Sequence, residues 1–162
     1  MTTIPVATDD LVQGATKYLL AIPAVTAQLG VTPAGTPYLF QHNLFVTMEG
    51  TSSTAAVLGY GGSWTGSNAH NTMRFPRLSL ELYCDPLRDS GQNVTEPGET
   101  WRRLNKTFTV LDRYLHRVGG GEQYWGSIRT LSSVRQSDPT IYAVPDGNGL
   151  LRAQVFYAIE MG

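Results

Sequence analysis

The segment LRAQVFYAIEM, residues 151–161, carries the clearest secondary-structure signal in the chain. Alternate residues are apolar, which places six side chains on one side of an extended strand: Leu151, Ala153, Val155, Tyr157, Ile159 and Met161. So long an apolar face predicts a strand in the centre of a sheet. The preceding residues 146–149, Asp-Gly-Asn-Gly, adopt positive φ readily, so they predict a tight hairpin from a strand over residues 140–144.

Residues 101–118 provide an apolar surface that can cover this strand. Their large apolar residues alternate in steps of three and four, as on one face of an α-helix: Trp101, Leu104, Phe108, Leu111, Leu115 and Val118. The three glycines at residues 119–121 predict the end of the helix. We expect the helix to pack against Val155, Tyr157 and Ile159 or their opposite-parity neighbours.

A second helix is predicted near the start of the chain. Asp9 and Asp10 can cap it, and Pro23 should end or kink it near Ala21, with a short further turn reaching residue 30. Its apolar stripe has helical spacing: Leu11, Ala15, Tyr18, Leu19 and Ile22.

The remaining segments are predicted to be strands and loops. Strands are expected over residues 44–49 and 55–60, joined by a turn at 50–54, and over residues 78–84 and 125–134. The polar segments 61–77 and 87–97 are expected to be loops, and Asp85-Pro86 should stop the strand before the second. The fold class is therefore α+β, with a mixed, mainly antiparallel β-sheet and two principal α-helices packed on one face.

Composition limits the classes of function. The 162 residues fit one domain, residues 1–162, and charged residues make up only 15% of them. A sparsely charged surface suits either a protein covered by neighbouring subunits or a neutral monomer. The net charge of −1 predicts no overall attraction to nucleic acid or anionic membrane. We see no signal peptide and no apolar run of membrane-spanning length, so synthesis and use in the cytoplasm are expected.

No motif indicates catalysis. Cys84 is the only cysteine, and its place on the apolar side of a strand predicts a buried, inert thiol. His42, His70 and His116 are scattered without the paired spacing of a zinc site; His116 is expected to place a favourable charge at a helix C-terminus. No serine stands in a Gly-x-Ser-x-Gly context, and the glycines at 119–121 follow a helix rather than opening one. We therefore expect no catalytic residue, no metal and no cofactor.

Two groups of residues are candidates for contacts with other chains. The first lies in the long polar segment 61–77, where two large aromatics and nearby polar side chains could anchor an interface: Trp64, His70, Arg74, Phe75 and Arg77. Alternatively, both rings tuck beneath the segment as a small satellite core.

The second group is the basic side of the predicted helix over residues 101–118: Arg102, Arg103, Lys106, Arg113 and Arg117. A solvated helix face is the simplest interpretation. The alternatives are pairing with carboxylates of a neighbouring subunit and lining a passage for DNA.

Several stretches resemble tail terminator proteins of long-tailed, siphovirus-type actinobacterial phages. They are Gly61-Gly62-Ser63-Trp64, Asn68-Ala69-His70-Asn71-Thr72, Phe75-Pro76-Arg77-Leu78 and Asp85-Pro86-Leu87-Arg88-Asp89. The final Asp-Gly hairpin and the plan of opening helix, sheet and long amphipathic helix are similar to that family too.

The resemblance implies a structural virion protein that forms a homo-oligomeric ring, commonly hexameric, at the head-proximal end of the tail tube. Such a ring ends tube polymerisation and joins the tail to the head. Its implied partners are further copies of itself, the tail tube protein and the head–tail connector or stopper protein; DNA passes through only as cargo, and no membrane is involved. A head-side connector or stopper is the alternative, and a small cellular enzyme or ligand-binding domain is a third class.

Overall fold

The computed structural model describes residues 9–41, 53–67, 72–118 and 121–162. Three helices are present in these ranges: α1 (Leu11–Leu20), α2 (Pro23–Thr26) and α3 (Pro97–Leu115). The strands are β1 (Leu39–Gln41), β2 (Thr54–Ser67), β3 (Thr72–Cys84), β4 (Leu87–Arg88), β5 (Val94–Thr95), β6 (Gln123–Trp125), β7 (Ile128–Arg135), β8 (Thr140–Ala143) and β9 (Leu151–Met161). The predicted strand over residues 44–49 lies outside the described residues.

The strand β9 lies inside the main sheet, as its sequence predicts. The strand order is β1-β2-β3-β9-β7-β6, and β8 also pairs with β9. One edge of β9 pairs with β3, while its other edge pairs first with β8 and then with β7. All these pairings are antiparallel except that of β1 with β2. The α+β class with a mainly antiparallel sheet is confirmed.

Both principal helices bury their apolar side chains in one cluster with β3 and β9. In α3 the predicted inward residues Leu104, Phe108, Leu111 and Leu115 are buried. Those that β9 contributes are Ala153, Val155, Tyr157 and Ile159. Cys84 is buried in the same cluster, as predicted, and burial raises the pKa of its thiol.

Two residues of the predicted apolar stripe do not belong to the core. Trp101 is 48% exposed, because Thr100 takes the inward position one turn before Leu104. Val118 is 69% exposed and lies beyond the helix. The helix ends at Leu115, before the glycines, because the backbone of Arg117 instead pairs with Ser133 of β7 through two hydrogen bonds of 2.6 and 2.9 Å.

The helix α1 begins and ends where the sequence predicts. Asp10 accepts a hydrogen bond from the backbone N–H of Gln13 at 2.8 Å, and the Gln13 side chain accepts one from Asp10 N at 3.1 Å. This reciprocal pair is a capping box. Ala21 is the C-cap, and α2 starts at Pro23, where its missing N–H costs nothing.

Most of the predicted strand over residues 125–134 is β7, but its first residues lie at the end of β6 and in the turn of a tight β6–β7 hairpin. The turn is held from outside the hairpin: the Asp9 carboxylate accepts hydrogen bonds from the backbone N–H and the hydroxyl of Ser127, both 2.9 Å. Gly126 has φ +60°, and a Cβ there would lie 2.6 Å from the Asp9 carboxylate. A contact 118 residues away therefore decides this turn.

The segments predicted to be polar loops contain strands as well. Residues 87–97 include the small β4–β5 hairpin. In residues 61–77, β2 continues to Ser67 and β3 starts at Thr72, so most of the segment is a β-hairpin. Its many Gly, Ser and Asn residues hide the strand signal, because the pairing depends on backbone hydrogen bonds rather than on an apolar pattern.

We expect Phe108→Ala to lower the free energy of unfolding by about 3–5 kcal/mol, because it empties a large buried volume beneath α3. Urea titration followed by circular dichroism measures this change. Trp101→Ala is the matched control, since its half-exposed ring should cost no more than about 1 kcal/mol. Equal losses for the two variants would contradict this packing of α3.

Acid should weaken the link between Asp9 and the β6–β7 turn. Hydrogen bonds from Lys17 and Ser127 lower the pKa of Asp9 from 3.8 to about 2. The pKa of Asp9 is lower in the folded chain than in the unfolded chain. Ionised Asp9 therefore stabilises the fold above about pH 4, and this stabilisation disappears as the pH falls through about 2. The difference in Tm between the wild-type chain and Asp9→Asn should therefore be largest near neutral pH and shrink towards pH 2. Asp138→Asn, whose side chain is 96% exposed, should show no such trend.

Candidate assembly interface

The hairpin of β2 and β3 extends beyond the rest of the sheet. The strand β9 accompanies β3 only as far as the pair Arg77–Ala158. Beyond it, residues 63–67 of β2 pair with residues 72–76 of β3, and no other described strand pairs with them. We call residues 61–67 and 72–77 the arm. An isolated two-stranded ribbon is only marginally stable in water, so contacts at its base or with a neighbour must support it.

A β-bulge marks the base of the arm, where Gly61 and Gly62 lie opposite Arg77. The Arg77 guanidinium donates to the Gly61 carbonyl at 2.8 Å and to the Gln136 side chain at 3.3 Å. It also stacks 4.7 Å from the centre of the Phe156 ring. Arg77 therefore fastens the arm to the sheet from inside the subunit. Paired glycines within a strand-like segment are the sequence signal that could have revealed this bulge.

The other predicted contact residues of this segment occupy different places. The backbone of Trp64 pairs with that of Phe75, and the backbone of Arg74 with that of Thr65. The side chains of Trp64 and Arg74 lie outside the described part of the structure, as does His70. The half-buried Phe75 lines a cleft of about 370 Å³ together with residues of β7 and β9: Ser132, Val134, Arg135, Ala158 and Glu160.

The five basic residues predicted to form one side of the long helix separate into two groups. Arg102, Lys106 and Arg113 are exposed and share one face of α3, and we call them the basic face. Arg102 pairs with Glu99 at 2.9 Å, whereas Lys106 and Arg113 form no ion pair with any described residue. Arg103 instead donates to the Asp85 carbonyl at 2.8 Å, and Arg117, beyond the helix, donates to the Gly121 carbonyl at 2.9 Å.

The contacts of α3 with the sheet, a partly buried polar cluster among them, determine which side of the helix faces outward. Asp112 accepts hydrogen bonds from the Tyr157 hydroxyl and from the Arg135 guanidinium, both 2.7 Å. Burial and the Asp112 carboxylate raise the pKa of Tyr157 far above its usual range, so the hydroxyl keeps its proton and remains a donor. These contacts join α3 to β9 and β7. Leu104, Phe108 and Leu111 are buried against the sheet, so Lys106 and Arg113, about half a turn from them, face away from it.

His116 contributes to the C-terminus of α3 through a hydrogen bond rather than through the predicted charge. His116 is the C-cap residue, and its Nδ1 accepts a hydrogen bond from the backbone N–H of Arg135 at 3.0 Å. The imidazole thus attaches the helix end to β7, which helical periodicity cannot predict.

The described residues show little that resembles a chemical site. In the described ranges, no group of three or more His, Cys, Asp or Glu residues is placed to hold a metal ion. Across the same ranges, no helix has the length and apolar character needed to cross a membrane. The polar clusters reported above instead fasten one element of the fold to another.

Comparison with known proteins shows a likeness of fold. No protein-family model and no curated protein matches this sequence. Among solved structures, a chain from the virion of a native gene transfer agent (GTA) particle is similar, with a TM-score of 0.54. The two chains are 15% identical, and the match covers 93% of this chain and 94% of that one. The likeness is therefore one of overall fold, and it extends over nearly the full length of both chains.

Removing the Arg77 guanidinium should loosen the base of the arm. We expect Arg77→Met to lower the free energy of unfolding by about 1.5–3 kcal/mol, because hydrogen bonds from a charged donor are lost while the apolar stem remains. Arg129→Met, at an exposed ion pair elsewhere, is the matched control and should change stability by no more than about 1 kcal/mol. Thermal unfolding followed by circular dichroism compares the two, and an unchanged Arg77→Met variant would show that the arm does not depend on this residue.

Proposed function

We propose that this chain is a structural virion protein, and specifically a tail terminator. In this role it forms a homo-oligomeric ring on the head-proximal end of a phage tail tube, ends tube polymerisation and joins the tail to the head connector. The observation that carries the proposal is the arm, a ribbon that leaves the sheet and lacks further described strands beside it. A subunit that must contact several neighbours needs such a projection, whereas a ligand-binding monomer does not.

Three further observations support this role. The fold is shared over nearly its full length with a chain of the gene transfer agent virion. Two of the stretches that resemble tail terminators, Gly61-Gly62-Ser63-Trp64 and Phe75-Pro76-Arg77-Leu78, lie in the two strands of the arm and at its base. The chain is also sparsely charged, as expected for a surface that neighbouring subunits cover.

The proposed partners follow from this role. Each subunit contacts further copies of itself around a ring, most simply six, and the ring contacts the tail tube protein on one side and the connector or stopper protein on the other. DNA passes through the central channel as cargo. The protein acts by binding and ending a polymer, and it needs neither a catalytic residue nor a cofactor.

Shortening the arm tests the proposal. Replacing residues 64–75 by Asn-Gly joins Ser63 to Pro76 through a two-residue turn and keeps the bulge and Arg77. This variant should fold with a Tm close to that of the wild-type chain but should not support terminated tails. The measurement is the tail-length distribution, by electron microscopy, of particles assembled with either form.

The lengths of the tubes distinguish a tail terminator from a head-side connector or stopper. If the chain ends tube growth, the shortened arm should give tubes of uncontrolled length. Tubes of uniform length that remain detached from heads would identify a head-side connector or stopper instead. Particles indistinguishable from the wild type would remove the arm from assembly.

A further inference from the structure

One end of the molecule is strongly acidic. Residues 85–99 and 144–150, which we call the acidic end, contain five carboxylates and one arginine. Contacts between the two segments hold them together: Arg88 donates to the Asn148 carbonyl at 2.8 Å, and the Asn148 side chain donates to the Gln92 carbonyl at 3.4 Å. The negative charge is therefore concentrated on one surface made of two loops.

Part of this charge is not neutralised within the subunit. Asp85 pairs with Arg88 and Glu99 with Arg102. Glu96 and Asp146 are both exposed and form no ion pair with any described residue. Asp89 is exposed too, and its carboxylate accepts hydrogen bonds from the backbone N–H groups of Gly91 and Asn93, both at 2.9 Å.

The unpaired cations of the basic face lie too far along α3 to reach this end. With a rise of 1.5 Å per residue, Lys106 lies roughly 15 Å along the helix from Glu96, and Arg113 roughly 25 Å. These separations are about two and three Debye lengths at physiological ionic strength. Apart from the Glu99–Arg102 pair, the charges of the two surfaces thus cannot neutralise each other inside one subunit, although they are complementary.

We propose that the acidic end of one copy docks on the basic face of the next. This inference rests on the proposed ring and names the surfaces that form it. The contact joins two different patches, so it is heterologous, and repeated contacts of this kind close into a ring when the rotation permits. A second copy is favoured over DNA as the occupant, because the chain carries a net charge of −1 and its acidic end would repel phosphates.

A charge exchange tests the pairing directly. Lys106→Glu with Arg113→Glu should weaken assembly about tenfold or more, since attraction becomes repulsion at every interface of the ring. Glu96→Lys with Asp146→Lys should weaken it similarly, and an equimolar mixture of the two double variants should recover mixed assemblies. Sedimentation velocity of the full chain over a range of NaCl concentrations measures the assembly. Arg129→Glu with Glu122→Lys, which exchanges the ends of an exposed ion pair elsewhere, is the control and should assemble like the wild-type chain.

The outcomes test the docking and the ring separately. Loss in both double variants with recovery in the mixture supports the docking. Rings that form normally in both variants, or that resist salt in the wild-type chain, overturn the docking and leave the ring intact. A wild-type chain that stays monomeric at low salt and is not recruited to tail tubes contradicts the ring as well. Because the four substituted side chains are exposed, the Tm of the variants should change little. The salt dependence of the wild-type assembly tests the proposal even if a variant does not fold.

Discussion

The structure depends on burying the apolar face of β9 beneath α3. This face carries a tyrosine, and its hydroxyl cannot lose its water shell without an acceptor. Asp112 provides that acceptor, and Arg135 in turn compensates the Asp112 carboxylate. A contact of this kind favours one rotation of the helix, because a turned helix would leave the buried Tyr157 hydroxyl without its acceptor.

That rotation has consequences on the outer surface. Once Leu104, Phe108 and Leu111 face the sheet, the residues half a turn away must face outward, and these include Lys106 and Arg113. The position of the basic face is therefore a result of the core. The acidic end has a similar origin, since Pro97 starts α3 beside the loops that follow β3 and precede β9. Carboxylates there also complement the N-terminal end of the helix dipole.

The arm is held by different interactions from those that hold the core. The arm residues whose burial is described are half-buried or exposed, and the arm depends on backbone pairing, on the bulge at Gly61 and Gly62 and on the Arg77 contacts with Gly61 and Phe156. Such a ribbon contributes little to the stability of a single subunit. The proposed function relies on the arm because contacts in an assembly would account for its length. The likeness to a virion chain at 15% identity is a likeness of fold.

The sequence by itself determined the elements whose burial is periodic. The alternation in residues 151–161 predicts a central strand, the three-and-four spacing from Leu104 to Leu115 predicts the long helix, and Asp10 and Pro23 predict the limits of α1. These signals are local, since each depends on which neighbouring side chains share a face.

Tertiary structure decided the rest. Asp9 contacts Ser127 and so divides one predicted strand into a hairpin, Thr100 displaces Trp101 from the core, and backbone pairing turns the polar segment 61–77 into an arm. Of the predicted contact residues, Lys106 and Arg113 are exposed and form no ion pair with any described residue, whereas Arg77, Arg103 and Arg117 bond within the subunit. Periodicity assigns a residue to a face, but only the positions of distant segments decide whether a charged side chain on it meets solvent or a carbonyl oxygen.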